Sequence, residues 1–144
     1  MSIKQISVFL ENKPGTLKKL TSVMAKNKID MRTTSLAETK DFGIARIIVD
    51  DALEAVNTLK ENDFVASLTS VLAVEIPDEA GGLDKLLEVF ADADVNIEYM
   101  YAFPGRGTNN HAYMIFRVAD TKAAEAKLTG KGLKLLTQED ISQI

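Results

Sequence analysis

The sequence predicts an α+β protein made of two βαββαβ units, each an antiparallel sheet with its helices on one face. Three observations carry that prediction. Residues 10–20, which join the end of a strand to the start of a helix, recur 66 positions later without a gap. Asn12 falls on Asp78, Gly15 on Gly81, Leu17 on Leu83 and Leu20 on Leu86, as a duplicated unit would place them. Each copy is followed by the same succession of period-two and period-3.6 apolar patterns. Finally, 144 residues suffice for two domains of about 70 residues, which puts the division at 1–70 and 71–144.

Residues 3–10 alternate, with Ile6, Val8 and Leu10 on one face and Gln5, Ser7 and Phe9 on the other, the period of a half-buried strand. A helix over about 14–27 sets Leu17, Leu20 and Met24 on one stripe and leaves Lys18, Lys19 and Lys26 in water. Strands are expected over 29–37 and 43–50, separated by the polar turn at 38–41, so the two form a hairpin. Asp50 or Asp51 then caps a short helix carrying Ala52, Val56 and Leu59, and residues 64–70 form the fourth strand.

The second unit repeats that order, with strands over 71–76, 95–103 and 111–118. Its first helix, 81–92, turns Leu83, Leu86, Leu87 and Phe90 inward. Asp120 or Thr121 caps the second helix, Gly130 or Gly132 ends it, and 133–136 closes the sheet. After the hairpin the offset between repeats grows to 69, as in Phe64 against Leu133. The extra residues lie in the longer turn at 104–110. Residues 64–74 hold neither Pro nor Gly, so one sheet is expected to run directly into the next, the halves rigidly related.

Units of this size bury only about 60% of the surface their unfolded chains expose, so each needs a packing partner. The sheet faces away from the helices offer one. Phe9, Ile44 and Ile48 in the first unit, and Val71, Ala73, Met100, Tyr113 and Ile115 in the second, form apolar rows expected to pack sheet to sheet, within the chain or in a homodimer. Tyr99, Tyr101 and Phe103 share the parity of Val95 and Ile97 and are expected to face their own core.

Composition excludes several function classes. A net charge of −4 and a pI near 5.0 oppose nucleic-acid binding, which needs a basic stripe. No cysteine is present, so disulfides, thiolate chemistry and sulfur-ligated zinc are excluded. No apolar signal core and no 18-residue apolar run occurs, so no membrane partner and a cytoplasmic address are expected. His111, the single histidine, has no nucleophile or orienting acid at catalytic spacing, so it is read as a solvent-exposed side chain at a turn. Asp50 with Asp51 reads as a cap, and Asp92 with Asp94 as a solvated turn, not an acid/base pair or calcium loop. The Gly105-Arg106-Gly107 turn lacks the strand-to-helix context of a phosphate cradle. Neither catalysis nor a cofactor or metal is expected.

What remains is the turn at 12–17. Pro14 suits a first helical position and Asn12 a cap, while Gly15 lets a ligand approach the backbone. Free amides and the positive end of the helix dipole suit a carboxylate or phosphate, the dipole contributing about 0.3–1 kcal/mol.

Asn12-Lys13-Pro14-Gly15-Thr16-Leu17, followed by a helix that ends before Ile29-Asp30-Met31, resembles the ACT domain signature. The second unit matches less fully through Asp78, Gly81, Gly82 and Leu83, then Val95-Asn96-Ile97, with Ala80 in place of the proline. The resemblance spans nearly the whole chain as a tandem pair. It implies ferredoxin-like domains that bind a free amino acid where two ACT units meet. Carried over, Asn12, Pro14, Gly15, Thr16 and Leu17 hold the ligand carboxylate, and Asp30 and Met31, or Asn96 and Ile97, line the opposing side. Asp78 pairs with the ligand ammonium or serves as a structural cap, and Gly81, Gly82 and Leu83 form a second, looser seat. The expected protein is a stand-alone sensor working as a homodimer or an intramolecular pseudo-dimer of ACT units. The alternatives are a regulatory subunit of a biosynthetic enzyme, resembling the small subunit of acetolactate synthase, and a ligand-free dimerisation module.

Overall fold

The structure, a computed structural model, describes residues 2–105 and 110–144. Its elements are β1 (Ile3–Glu11), α1 (Thr16–Lys26), β2 (Thr33–Glu38), β3 (Phe42–Ile48), α2 (Ala52–Glu61), β4 (Val65–Pro77), α3 (Gly82–Asp92), β5 (Tyr99–Phe103), β6 (His111–Arg117), α4 (Thr121–Gly130) and α5 (Gln138–Gln143). The turn expected at 104–110, with its Gly105-Arg106-Gly107 segment, falls mostly outside the described residues. The chain divides into two compact units, Lys4–Thr69 and Ser70–Ile144, the latter taking Ile3, the first residue of β1. Strand β4 runs from Val65 to Pro77 without a break, as the absence of Pro and Gly predicted.

In the first unit the strands lie in the order β2-β3-β1-β4, with β3 antiparallel to β1 and β2. Ile6, Val8 and Leu10 form a core with Leu20 and Met24 of α1, Ala45 and Ile47 of β3, and Val56 and Leu59 of α2. The period-two and period-3.6 patterns therefore meet on one side of the sheet. On the opposite side Gln5 is wholly buried. Its side-chain amide donates to the Ser7 hydroxyl at 3.0 Å, and that hydroxyl lies 3.1 Å from the Thr69 hydroxyl.

The second unit repeats the plan with the order β4-β6-β5 and a core of Leu72, Val74, Leu86, Phe90, Phe116 and Leu128. Phe90 and Phe116 contribute a ring pair 4.8 Å apart. Its expected fourth strand shrinks to a single bridge between Leu135 and Val74, held also by the Leu136 N–H donating to the Ala73 carbonyl at 2.8 Å. Beyond it the chain forms α5. Thr137 and Asp140 cap that helix reciprocally, the Thr137 N–H donating to Asp140 Oδ2 at 2.8 Å and the Asp140 N–H to Thr137 Oγ1 at 3.1 Å.

Two expected caps are present. Asp51 accepts from the Glu54 N–H at 3.0 Å and Asp120 from the Ala123 N–H at 3.1 Å, so in each pair of alternatives the residue immediately before the helix does the capping. The facing of β5 differs from expectation. Met100 packs against the helix-side core, whereas Tyr101 and Phe103 lie opposite Ile115 and Tyr113 on the other face, Phe103 and Tyr113 meeting edge to face at 6.0 Å. The strand begins only at Tyr99, after a bend at Glu98, and the bend resets the parity inherited from Val95 and Ile97. Of the residues expected on the face away from the helices, Ile48, Val71, Ala73, Tyr113 and Ile115 are buried, while Phe9 stays 53% exposed.

Candidate functional site

The turn between β1 and α1 is built by backbone geometry rather than by a side-chain cap. Gly15 is the N-cap of α1 at φ +89, and no side chain caps the helix. A positive φ is strained for residues with a Cβ and costs glycine nothing. Asn12, expected as the cap, instead turns its side-chain amide toward the β2–β3 turn, donating to the carbonyls of Thr39 at 3.1 Å and Lys40 at 3.4 Å. Its backbone N–H donates to the Asp41 carbonyl at 2.9 Å. Asn12 thus ties the seat to the hairpin.

The amide inventory narrows the seat. Pro14 has no N–H, Asn12 has used its own, and the Thr16 N–H makes a long bond of 3.5 Å to the Lys13 carbonyl. Thr16 spends its hydroxyl proton on the turn, its Oγ1 lying 2.8 Å from the Glu11 carbonyl and 3.0 Å from that of Lys13. The Gly15, Leu17 and Lys18 amides find no acceptor among the described residues. Lys18 was not foreseen, because its side chain marks it only as a wet position.

Charge at the helix start favours an anion. No acidic residue lies in the first turn of α1, where Lys18 and Lys19 stand. The Lys13 ammonium pairs with the Glu11 carboxylate at 2.6 Å and holds that carboxyl below its usual pKa. Asn12, Pro14, Gly15, Thr16 and Leu17 all line one cavity of about 260 Å³, whose other walls include Leu10, Leu36, Glu38 and Gly43.

The second turn copies the backbone of the first. Gly81 is the N-cap of α3 at φ +82, again without a side-chain cap. The Asp78 N–H donates to the Asn110 carbonyl at 2.8 Å, as Asn12 does to Asp41, and Lys85 bonds Gly81 as Lys19 bonds Gly15. Asp78 is therefore not a cap, and its carboxylate is exposed. Glycine is required at Gly82, where a Cβ would lie 2.4 Å from the Pro77 carbonyl oxygen. Asp84 sits in the first turn of α3 beside Asp78 and Glu79, so the charge is opposite to that at Gly15. Leu83 is half-buried against its own core.

The remaining expected site residues lie elsewhere in their units. Asp30 and Met31 precede β2, at the end of the sheet away from Gly15, because β1 pairs Glu11 with Phe42 at one end and Ile6 with Ile47 toward the other. Asp30 lines a cavity of about 210 Å³ with Lys28, Asp50 and Glu54, and Met31 packs against the core. Beside them Arg32, missed in the sequence, is buried and pairs with Asp50 at 2.9 Å. Asn96 lines a cavity of about 160 Å³ with Asp94, Asp120 and Lys127, and Ile97 packs inward. His111 is 2.8 Å from Glu75, an ion pair when the imidazole is protonated. Among the described residues no cluster of acids and histidines could hold a metal, and no helix is long and apolar enough to cross a membrane.

Two ferredoxin-like βαββαβ units with glycine-capped first helices define a tandem of small α+β domains. The chain belongs to the ACT domain pair family, whose model matches residues 1–144. It is similar to a Bacteroides thetaiotaomicron protein of known crystal structure, at 38% identity and a TM-score of 0.90 over 100% of this chain and 98% of that one. The fold also matches the regulatory subunit of aspartate kinase from Thermus flavus, at 19% identity, TM-score 0.62 and 90% of each chain. The ligand-free Thermus thermophilus counterpart matches likewise at 19% identity and TM-score 0.62 over 88% of each chain. No curated protein sequence matches.

Proposed function

We propose that the chain is a non-catalytic regulatory sensor, two ACT domains over 1–70 and 71–144, that binds a free amino acid at an ACT interface. The ligand carboxylate rests on the amides at Gly15, Leu17 and Lys18. The observation carrying this reading is that those three amides lack acceptors at a helix start with no acid in its first turn, beside a cavity of about 260 Å³. Because Asp30 and Met31 lie at the far end of their own sheet, they line the opposing side only when supplied by a different ACT unit, and the same holds for Asn96 and Ile97. Ligand binding then shifts domain or subunit packing by the difference in its affinity for the two arrangements.

A thermal-shift screen of the twenty amino acids, followed by calorimetry, tests the reading. A ligand at a hundred times its Kd stabilises the bound state by about 2.7 kcal/mol, a readily measured rise in melting temperature. No binder tighter than millimolar rejects it. In Gly15→Val the added Cβ meets no atom within 4 Å but sits at positive φ. The variant should fold, at a cost of about 1–2 kcal/mol, and lose binding.

A second reading, regulatory subunit of a biosynthetic enzyme, draws on the exposed Phe9 and Phe42, which line an apolar groove of about 560 Å³. Native purification separates the two readings, since a free sensor elutes without an enzyme.

A further inference from the structure

Resting on that reading, we propose that the Gly15 pocket selects amino acids with aliphatic side chains. Leu10, Gly43 and Glu38 stand in one row across β1, β3 and β2, since Leu10 and Glu38 both pair with Gly43. Glycine at the centre of that row leaves a floor without a side chain. A Cβ there would come within 3.3 Å of the Ala37 carbonyl oxygen and 3.4 Å of Leu36 Cδ1, so Leu36 lies across the floor in the space a larger residue would take.

Leu36 and Leu17, 53% and 37% exposed, form the walls with the buried Leu10. Two leucines left wet beside a cavity gain by being covered with hydrocarbon. The polar groups nearby are committed. The Thr16 hydroxyl donates to backbone carbonyls and the Lys13 ammonium to Glu11, so neither is offered to a polar ligand side chain. Glu38, without an ion-pair partner among the described residues, accepts the ligand ammonium. A second carboxylate or an extra ammonium on the ligand would be left against leucine, where burying charge is costly.

Calorimetry with leucine, isoleucine and valine against aspartate, lysine and serine tests this. The aliphatic set should bind at least about tenfold more tightly, the effect expected of one buried alkyl group. Leu36→Ser, an exposed edge-strand change, should weaken leucine binding about tenfold while leaving melting temperature unchanged. Glu38→Gln should weaken leucine but not 4-methylpentanoate, which has no amino group. A charged or polar amino acid that binds most tightly, with its binding lost in Gly15→Val, overturns the selectivity and leaves the sensor reading standing. Absence of binding by every amino acid overturns the sensor reading itself.

Discussion

Thr16 and Gly82 hold the same place in the two units, yet they close their turns by opposite means. Thr16 reaches back with its hydroxyl to two carbonyls, whereas Gly82 lets the Pro77 carbonyl come where a Cβ would be. Thr16→Ala should therefore cost about 0.5–1.5 kcal/mol, the loss of a shared hydrogen bond. Gly82→Ala should cost about 1–3 kcal/mol through overpacking, because the first helical turn gains little from alanine. Urea denaturation of both variants checks the pair, and an unchanged midpoint in Gly82→Ala would show that the turn relaxes freely. At this scale the sequence was partly legible. Gly15 and Gly81 could be read as special backbone positions, since only glycine takes positive φ without strain. Asn12 could not be assigned, because a cap and a brace to the neighbouring hairpin use the same amide, and the choice depends on where residues 39–41 come to lie.

Among the elements, legibility followed how local the governing interaction is. Helices α1 to α3 were visible in their apolar spacing, and α2 and α4 in the caps Asp51 and Asp120, because those forces act within a few residues. The facing of β5 was not visible, since the bend at Glu98 resets parity and no turn residue announces it. The last strand was overestimated, as Leu133, Leu135 and Leu136 look like strand while only one bridge forms. Helix α5 was overlooked although Thr137 and Asp140 spell a capping box. Both the Thr137 backbone N–H and its hydroxyl side draw the Asp140 carboxyl below its ordinary pKa. A depressed folded pKa means that the cap contributes fully above the unfolded carboxylate range and is lost as pH falls through the folded value. The protection of the Ile141 amide, whose N–H donates to the Thr137 carbonyl at 3.1 Å, should thus fall on acidification in the wild type when its exchange rate is compared with that of an unstructured peptide at the same pH. In Asp140→Asn that pH dependence should disappear.

Across the whole molecule, duplication preserved the backbone and reversed the charge. The bonds from Asn12 to Asp41 and from Lys19 to Gly15 reappear as Asp78 to Asn110 and Lys85 to Gly81, so both turns present αL glycines before a helix start. Around Gly15 stand Lys13, Lys18 and Lys19 against Glu11 and Glu38, while around Gly81 stand Asp78, Glu79 and Asp84 against Lys85. A helix dipole contributes only about 0.3–1 kcal/mol to holding an anion. A like charge within a few ångströms opposes binding by about as much or more, roughly 1 kcal/mol at 4 Å even in bulk water. The second turn, with an acid in the first helical turn, should therefore reject a carboxylate that the first accepts. The two glycines provide a matched test, because each has positive φ and open space where a Cβ would point. Gly15→Val and Gly81→Val should destabilise the chain alike, by about 1–2 kcal/mol, but only the former should abolish amino-acid binding. Calorimetry of the wild type should give one carboxylate site per chain, and a stoichiometry of two would show that backbone geometry outweighs the surrounding charge.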